Sequence, residues 1–244
     1  MPVNLRLAMW SGPRNISTAL MRAWENRPDC VVWDEPLYGY YLDATGTPHP
    51  GAAEVIAAQG TDATSIIARC IGEIPEGKSI FYQKHMTLHL LPDLQRDWLK
   101  SLTNCFLIRE PEAVISSYAA IRSEATLEDI GFIQQTALFD EVMSITSATP
   151  IVIDSREFLL NPEAMLEALC DRLDIRFDPS MLGWRAGPRD SDGVWGKYWY
   201  DSVWQSTGFA PYRDKNYDLA GKDHKIAQQA RPYYEKLYQH RLNP

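Results

Sequence analysis

The 244-residue chain lacks several things that would narrow its class at once. It has no apolar run near the roughly 18–20 residues of a membrane span. Its opening residues, MPVNLRLAMWSGPR, hold a short apolar stretch without the architecture of a signal peptide. It has no basic excess: 24 Lys and Arg stand against 32 Asp and Glu, a formal charge of −8. That balance argues against a general nucleic-acid or anionic-membrane binder, which gains affinity by releasing counterions from a basic surface. Only four cysteines occur (Cys30, Cys70, Cys105, Cys170), with no CxxC and no His–Cys cluster. Such spacing predicts reduced, buried thiols in a cytoplasmic protein, not a disulfide frame or a zinc site. Repeats, low-complexity tracts and linkers long enough to divide domains are missing too.

What is present is an alternation of apolar runs of strand length with segments of helical period. Strands are predicted at 5–10, 30–34, 79–85, 103–110 and 150–155. Helices are predicted at about 16–26, 51–58, 62–72, 111–122, 127–147 and 162–173, with a helical turn at 92–99 and a loop after the second strand. This order implies βαβ units: an α/β protein of three layers, with a central parallel sheet covered on both faces. The tail differs, for seven aromatic residues lie between Trp195 and Tyr212 with no clean period. The chain therefore reads as one domain over 1–244, with a core at 5–182, an irregular aromatic flap at 183–222 and a closing helix at 223–241.

Two segments carry chemistry. In LRLAMW–SGPRNIST–ALMRAW a strand turns tightly into a helix N-terminus, where unpaired N–H groups and the helix dipole favour an anion. Gly12, Arg14, Asn15, Ile16, Ser17 and Thr18 form that turn, adding a cation and two hydroxyls. It lacks the GK[ST] ending of a Walker A loop. The same residues also fit an ordinary βα turn with Ser17 or Thr18 as helix cap. In the second segment Arg109 ends a strand, the edge where open α/β sheets bind ligands. Ser117 follows eight residues later, about two turns into the next helix. Together they suit a phosphate gripped from two sides; alternatively, Arg109 pairs with Glu110 or Glu112 and Ser117 merely packs.

Taken together, these segments resemble the sulfotransferase family that uses 3′-phosphoadenosine 5′-phosphosulfate. GPRNIST is similar to the family's 5′-phosphosulfate loop, with Arg14 at the basic position, Ser17 and Thr18 at the hydroxyl pair, and Ile16 at the glycine position. Arg109, Pro111, Ser117 and Tyr118 match its 3′-phosphate motif, and the stretch from Val152 to Leu182 resembles a further family segment, with Ser155 where many members carry Tyr. The resemblance runs from residue 5 to about 182. It implies a P-loop NTPase-like fold, a sulfuryl donor released as adenosine 3′,5′-bisphosphate, and no metal, because the cations are side chains. The partner it implies is a small acceptor bearing a hydroxyl or amine, apolar or aromatic if the flap's rings line its pocket. No nucleic acid is expected.

Sulfuryl transfer needs a base for the acceptor's proton. His85 ends the third strand and has Pro92 seven residues on, as in the family's cytosolic branch; it also reads as a packing histidine. Glu35, after the second strand, is the alternative base, or one half of an acidic loop pair with Asp34. Lys84 would assist the leaving group or lie on the surface, His89 is expected to face solvent, and Lys197 would approach a phosphate or belong to a flap that only packs. Two other functions stay open: a non-catalytic nucleotide-binding protein, and a small-molecule kinase or other transferase on the same fold.

Overall fold

Five strands line up in parallel as β2-β3-β1-β4-β5, and their C-terminal ends share one edge. They are β1 (Leu5–Ser11), β2 (Cys30–Asp34), β3 (Ile80–Met86), β4 (Thr103–Ile108) and β5 (Ile151–Asp154). The computed structural model describes residues 4–119 and 125–244. Between the strands run α1 (Ser17–Glu25), α2 (Tyr38–Thr45), α3 (Ala52–Gln59), α4 (Ala63–Ile71), α5 (Pro111–Ala119) and α6 (Phe132–Thr146). After β5 come α7 (Ser155–Leu160), α8 (Pro162–Arg172), α9 (Gly196–Trp199), α10 (Asp201–Trp204) and α11 (Gly221–Tyr238).

Period-two alternation along the strands feeds two separate cores. On one face Leu7, Met9 and Leu107 pack with Leu20 and Trp24 of α1 and with Leu166 and Leu169 of α8. On the other, Trp10 and Phe106 pack with Ile115 of α5, Phe139 of α6 and Ala230 of α11. The result is the expected three-layer α/β sandwich. No helix of the described residues is long and apolar enough to cross a membrane.

Several elements differ from the reading of the sequence. Residues 38–45, read as loop, form α2, whose Tyr38 and Leu42 are four apart and bury against Val55 and the tail residues Trp195 and Tyr200. The helix expected from 127 begins at Phe132, because Gly131 takes a φ of 76°, outside any helix. The turn expected at 92–99 is a 3-10 segment at Asp97–Ser101. Residues 120–122 of the expected 111–122 helix lie outside the described residues.

Candidate active site

A cavity of about 880 Å³ opens along the C-terminal edge of the sheet. At one end stands the loop from β1 to α1. Gly12 is required there, since a Cβ would lie 2.9 Å from the backbone oxygen of Ile130. Asn15 ties the loop down by donating to the carbonyl oxygens of Gly12 (3.2 Å) and Leu107 (3.4 Å). Arg14 adopts a φ of 60°, a conformation that costs a non-glycine residue energy and concentrates at functional sites. Its Nε donates to Oγ of Ser117 (2.9 Å), while Nη1 of Arg109 donates to the Arg14 carbonyl (2.7 Å). The two guanidiniums are thus neighbours, and neither makes a salt bridge with a carboxylate of the described residues. Burial, and then Arg109, lower the Arg14 pKa from its ordinary value. α1 starts at the same place with no side-chain cap and no acidic residue in its first turn. Ser17, Thr18 and the first N–H groups of that helix face the same end of the cavity. Among the described residues this electropositive cradle has no carboxylate in salt-bridge contact.

A second part of the cavity wall, on β3 and the end of β2, is a closed network of charge. Lys84 on β3 is almost fully buried, and its Nζ donates to Oδ1 of Asp34 (2.8 Å), to Oε1 of Glu35 and to the Tyr200 hydroxyl (2.9 Å). The Tyr200 hydroxyl donates in turn to Oδ2 of Asp34 (2.7 Å) and accepts from Nε1 of Trp195 (3.1 Å). Burial alone would lower the Lys84 pKa, but Asp34 and Glu35 outweigh it and hold the ammonium well above its usual range. Burial pushes the Asp34 carboxyl up, against the pull of Lys84. The backbone of Glu35 is fixed as well: its N–H donates to the Lys84 carbonyl (2.8 Å) and its carbonyl accepts from Gln59 (3.0 Å).

Residues 5–241 match the family described as Sulfotransferase domain. The chain belongs to the sulfotransferase-domain family. Branched-chain-amino-acid aminotransferase-like proteins 1 and 2 of Arabidopsis thaliana are 32% and 31% identical to it over 231 residues, 95% of this chain. The chain spans 41% of the length of each of these relatives. Among solved structures, the sulfotransferase domain of the Synechococcus PCC 7002 olefin synthase superposes with a TM-score of 0.55 at 16% identity, covering 91% of this chain and 93% of that one. The sulfotransferase domain of the curacin biosynthetic pathway gives 0.51 at 15%, covering 94% and 97%. The likeness to these two is one of fold, the P-loop-like fold of sulfotransferases.

Within this sulfotransferase domain the residues singled out in the sequence separate. Arg14, Asn15, Ile16, Ser17, Thr18, Arg109 and Ser117 all reach the cavity, although Ser117 bonds Arg14 instead of standing beside Arg109 alone. Ile16 needs no glycine conformation: its φ is −85°, and its side chain packs on the core around α1. Glu35 and Lys84 line the same cavity.

His85 is not among them. One residue along β3 from Lys84, it points to the other face of the sheet, stacked on Trp10 at 4.3 Å, with Nε2 3.1 Å from Oε1 of Gln83. Burial, then His89 and Lys84, push its pKa down to about 3. The expectation that it serves as the base is corrected: it is a core side chain. His89 departs in the opposite sense, being buried on the cavity wall where solvent exposure was expected. Lys197 pairs with Glu54 at the surface instead of meeting a phosphate.

The sequence reading offered the flap's rings as acceptor contacts only as a group, without singling out Trp195 or Tyr200, and it missed Tyr38. Their only signal was the aromatic density of the tail and of residues 38–41, and density does not say which ring turns inward. Among the described residues no cluster of His, Cys, Asp and Glu could hold a metal ion.

Proposed function

We propose that this domain takes its sulfuryl group from 3′-phosphoadenosine 5′-phosphosulfate and passes it to the hydroxyl, or amine, of a small acceptor. The observation that carries the reading is the pair Arg14–Arg109: two adjacent cations on a cavity wall, in no salt bridge among the described residues, beside an uncapped helix N-terminus. Like charges are brought together in this way where an anion is to be held between them.

The donor supplies an activated sulfuryl group; the remaining roles fall to side chains of this chain. Ser17, Thr18 and the first N–H groups of α1 bind the 5′-phosphosulfate, and Arg14 offsets the charge that grows on the leaving phosphate. Arg109 and Ser117 bind the 3′-phosphate, which separates this donor from ATP. Glu35 provides the basic group at the acceptor end, and Lys84 holds it in position. The rings of Tyr38, Trp195 and Trp199 on the cavity wall favour an apolar or aromatic acceptor. We place the domain in the cytoplasm as a single folding unit, since its four cysteines are buried and free.

Calorimetric titration with adenosine 3′,5′-bisphosphate, run beside magnesium ATP, tests the reading. Binding of the bisphosphate and not of ATP is expected. Preference for magnesium ATP would replace this reading with a kinase.

A further inference from the structure

The tail residues that line the cavity, Trp195, Trp199, Tyr200, Ser202 and Val203, belong to a loop held at two places. At its base Gly183 pairs with Gly208, and the Trp184 N–H donates to the Thr207 carbonyl (3.0 Å). Within it, Asp192 is clamped to α1. Nη2 of Arg22 donates to Oδ2 of Asp192 (2.7 Å), and the two side chains are only 1% and 5% exposed. The same Oδ2 accepts from the Arg189 N–H (2.9 Å) and from Nε1 of Trp204 on α10 (2.9 Å). Around this pair Glu25 of α1 accepts from Nη1 of Arg22 (3.2 Å), from Nη1 of Arg189 (2.8 Å) and from the Ser191 hydroxyl. Oδ1 of Asp192 is buried and has no hydrogen-bond partner among the described residues.

Packing alone does not call for this arrangement. Well-packed apolar residues of similar volume serve stability as well as a buried ion pair or better, and a buried oxygen without a partner adds a cost. What the charges add to contact is direction, and it is passed on at close range. Gly193 follows Asp192, and a Cβ there would lie 2.1 Å from the Trp195 ring, so the indole folds directly over this backbone. Nε1 of Trp195 in turn donates to the Tyr200 hydroxyl (3.1 Å). Trp204, the other ring tied to Asp192, packs so tightly on Gly196 that a Cβ there would stand 3.1 Å from it. We propose that Asp192, paired with Arg22, is a positioning residue for the acceptor: it fixes the Trp195–Val203 stretch of the cavity wall and so the place where the acceptor lies. The inference rests on the reading above, in which these rings meet the acceptor. Asp192 acts through Trp195, Trp199 and Tyr200, not by touching the acceptor itself.

Steady-state transfer to 2-naphthol by the full chain, with the donor saturating, separates positioning from mere support. Asp192→Asn keeps the shape of the side chain and removes its charge. Its KM for 2-naphthol is expected to rise roughly tenfold, while kcat and affinity for adenosine 3′,5′-bisphosphate stay within about twofold of the wild type, the pattern of lost binding without lost chemistry. A residue that only supports the fold would lower the active fraction, and so kcat, at unchanged KM. That result would overturn the proposal, as would a tenfold weakening of bisphosphate binding. Trp204→Phe keeps the ion pair and deletes one donor to Asp192, so it decides the matter if Asp192→Asn does not fold. It should raise KM about threefold, the worth of one hydrogen bond; an unchanged KM would overturn the proposal. Failure of the wild-type chain to bind the bisphosphate would instead overturn the donor reading. Bisphosphate binding with no transfer to 2-naphthol would overturn the aromatic acceptor on which the proposal depends.

Discussion

Two parts of the cavity wall handle charge in opposite ways. On one side Arg14 and Arg109 stand side by side, and among the described residues neither is in a salt bridge with a carboxylate, so their charge is open to an incoming anion. On the other side one ammonium, two carboxylates and a tyrosine hydroxyl satisfy one another in a buried network. The first arrangement suits binding. The second suits preorganisation, because charged groups held by buried partners need no rearrangement when a neighbouring charge changes.

Breaking the second network has the largest expected effect. Lys84→Met leaves Asp34 and Glu35 buried without their cation, and should cost about 3–5 kcal/mol of folding stability by urea denaturation. A loss well under this would mean that the acceptor end is wetter and looser than described. Acid probes the core behind it. His85 is held at about 3 in the folded chain, so it takes up a proton on unfolding at any pH between there and its ordinary value of about 6.5. Its contribution to stability is full above that value and falls as pH drops through the window, by about 1.4 kcal/mol per pH unit. His89 shifts in the same direction. Denaturant midpoints measured down to about pH 5 should fall accordingly, and His85→Gln should remove one proton's share of the slope; an unchanged slope would put His85 in contact with solvent.

Tyr200→Phe sharpens the comparison. It deletes the hydroxyl that joins Asp34, Lys84 and Trp195, and should cost about 1–2 kcal/mol without changing affinity for adenosine 3′,5′-bisphosphate. Weaker bisphosphate binding in this variant would show that the tail reaches the donor end. Lys197→Ala is the smallest case. The residue makes an exposed pair with Glu54, so neither urea midpoint nor bisphosphate affinity should move measurably.

The same contrast governs what could be read from the sequence. The meeting of the two arginines' segments at one cavity was legible because each half is local: a strand, a turn and a helix within Leu5–Glu25, then Arg109 and Ser117 within one strand-to-helix unit. Ordinary βα geometry brings such residues to the strand ends. The acceptor end joins residues 34, 35, 84, 89 and 200, and nothing in their spacing announces the meeting. His85 and His89 both lie elsewhere than expected, for a related reason. A strand alternates its faces at every residue, so a choice between Lys84 and His85 for the cavity turns on one step of register. β3 gives the cavity side to Lys84 and buries His85 among tryptophans. His89 faces inward because α2, a helix the polar tyrosine-rich run concealed, supplies the two rings that hold it.

The division of the cavity is tested most directly by titrating adenosine 3′,5′-bisphosphate into the wild-type chain, Arg109→Ala and Glu35→Gln. The account predicts that Arg109→Ala binds roughly ten- to a hundredfold more weakly, the worth of a charge-assisted contact, while Glu35→Gln binds as the wild type does. Equal weakening by the two substitutions, or wild-type affinity in Arg109→Ala, would contradict it.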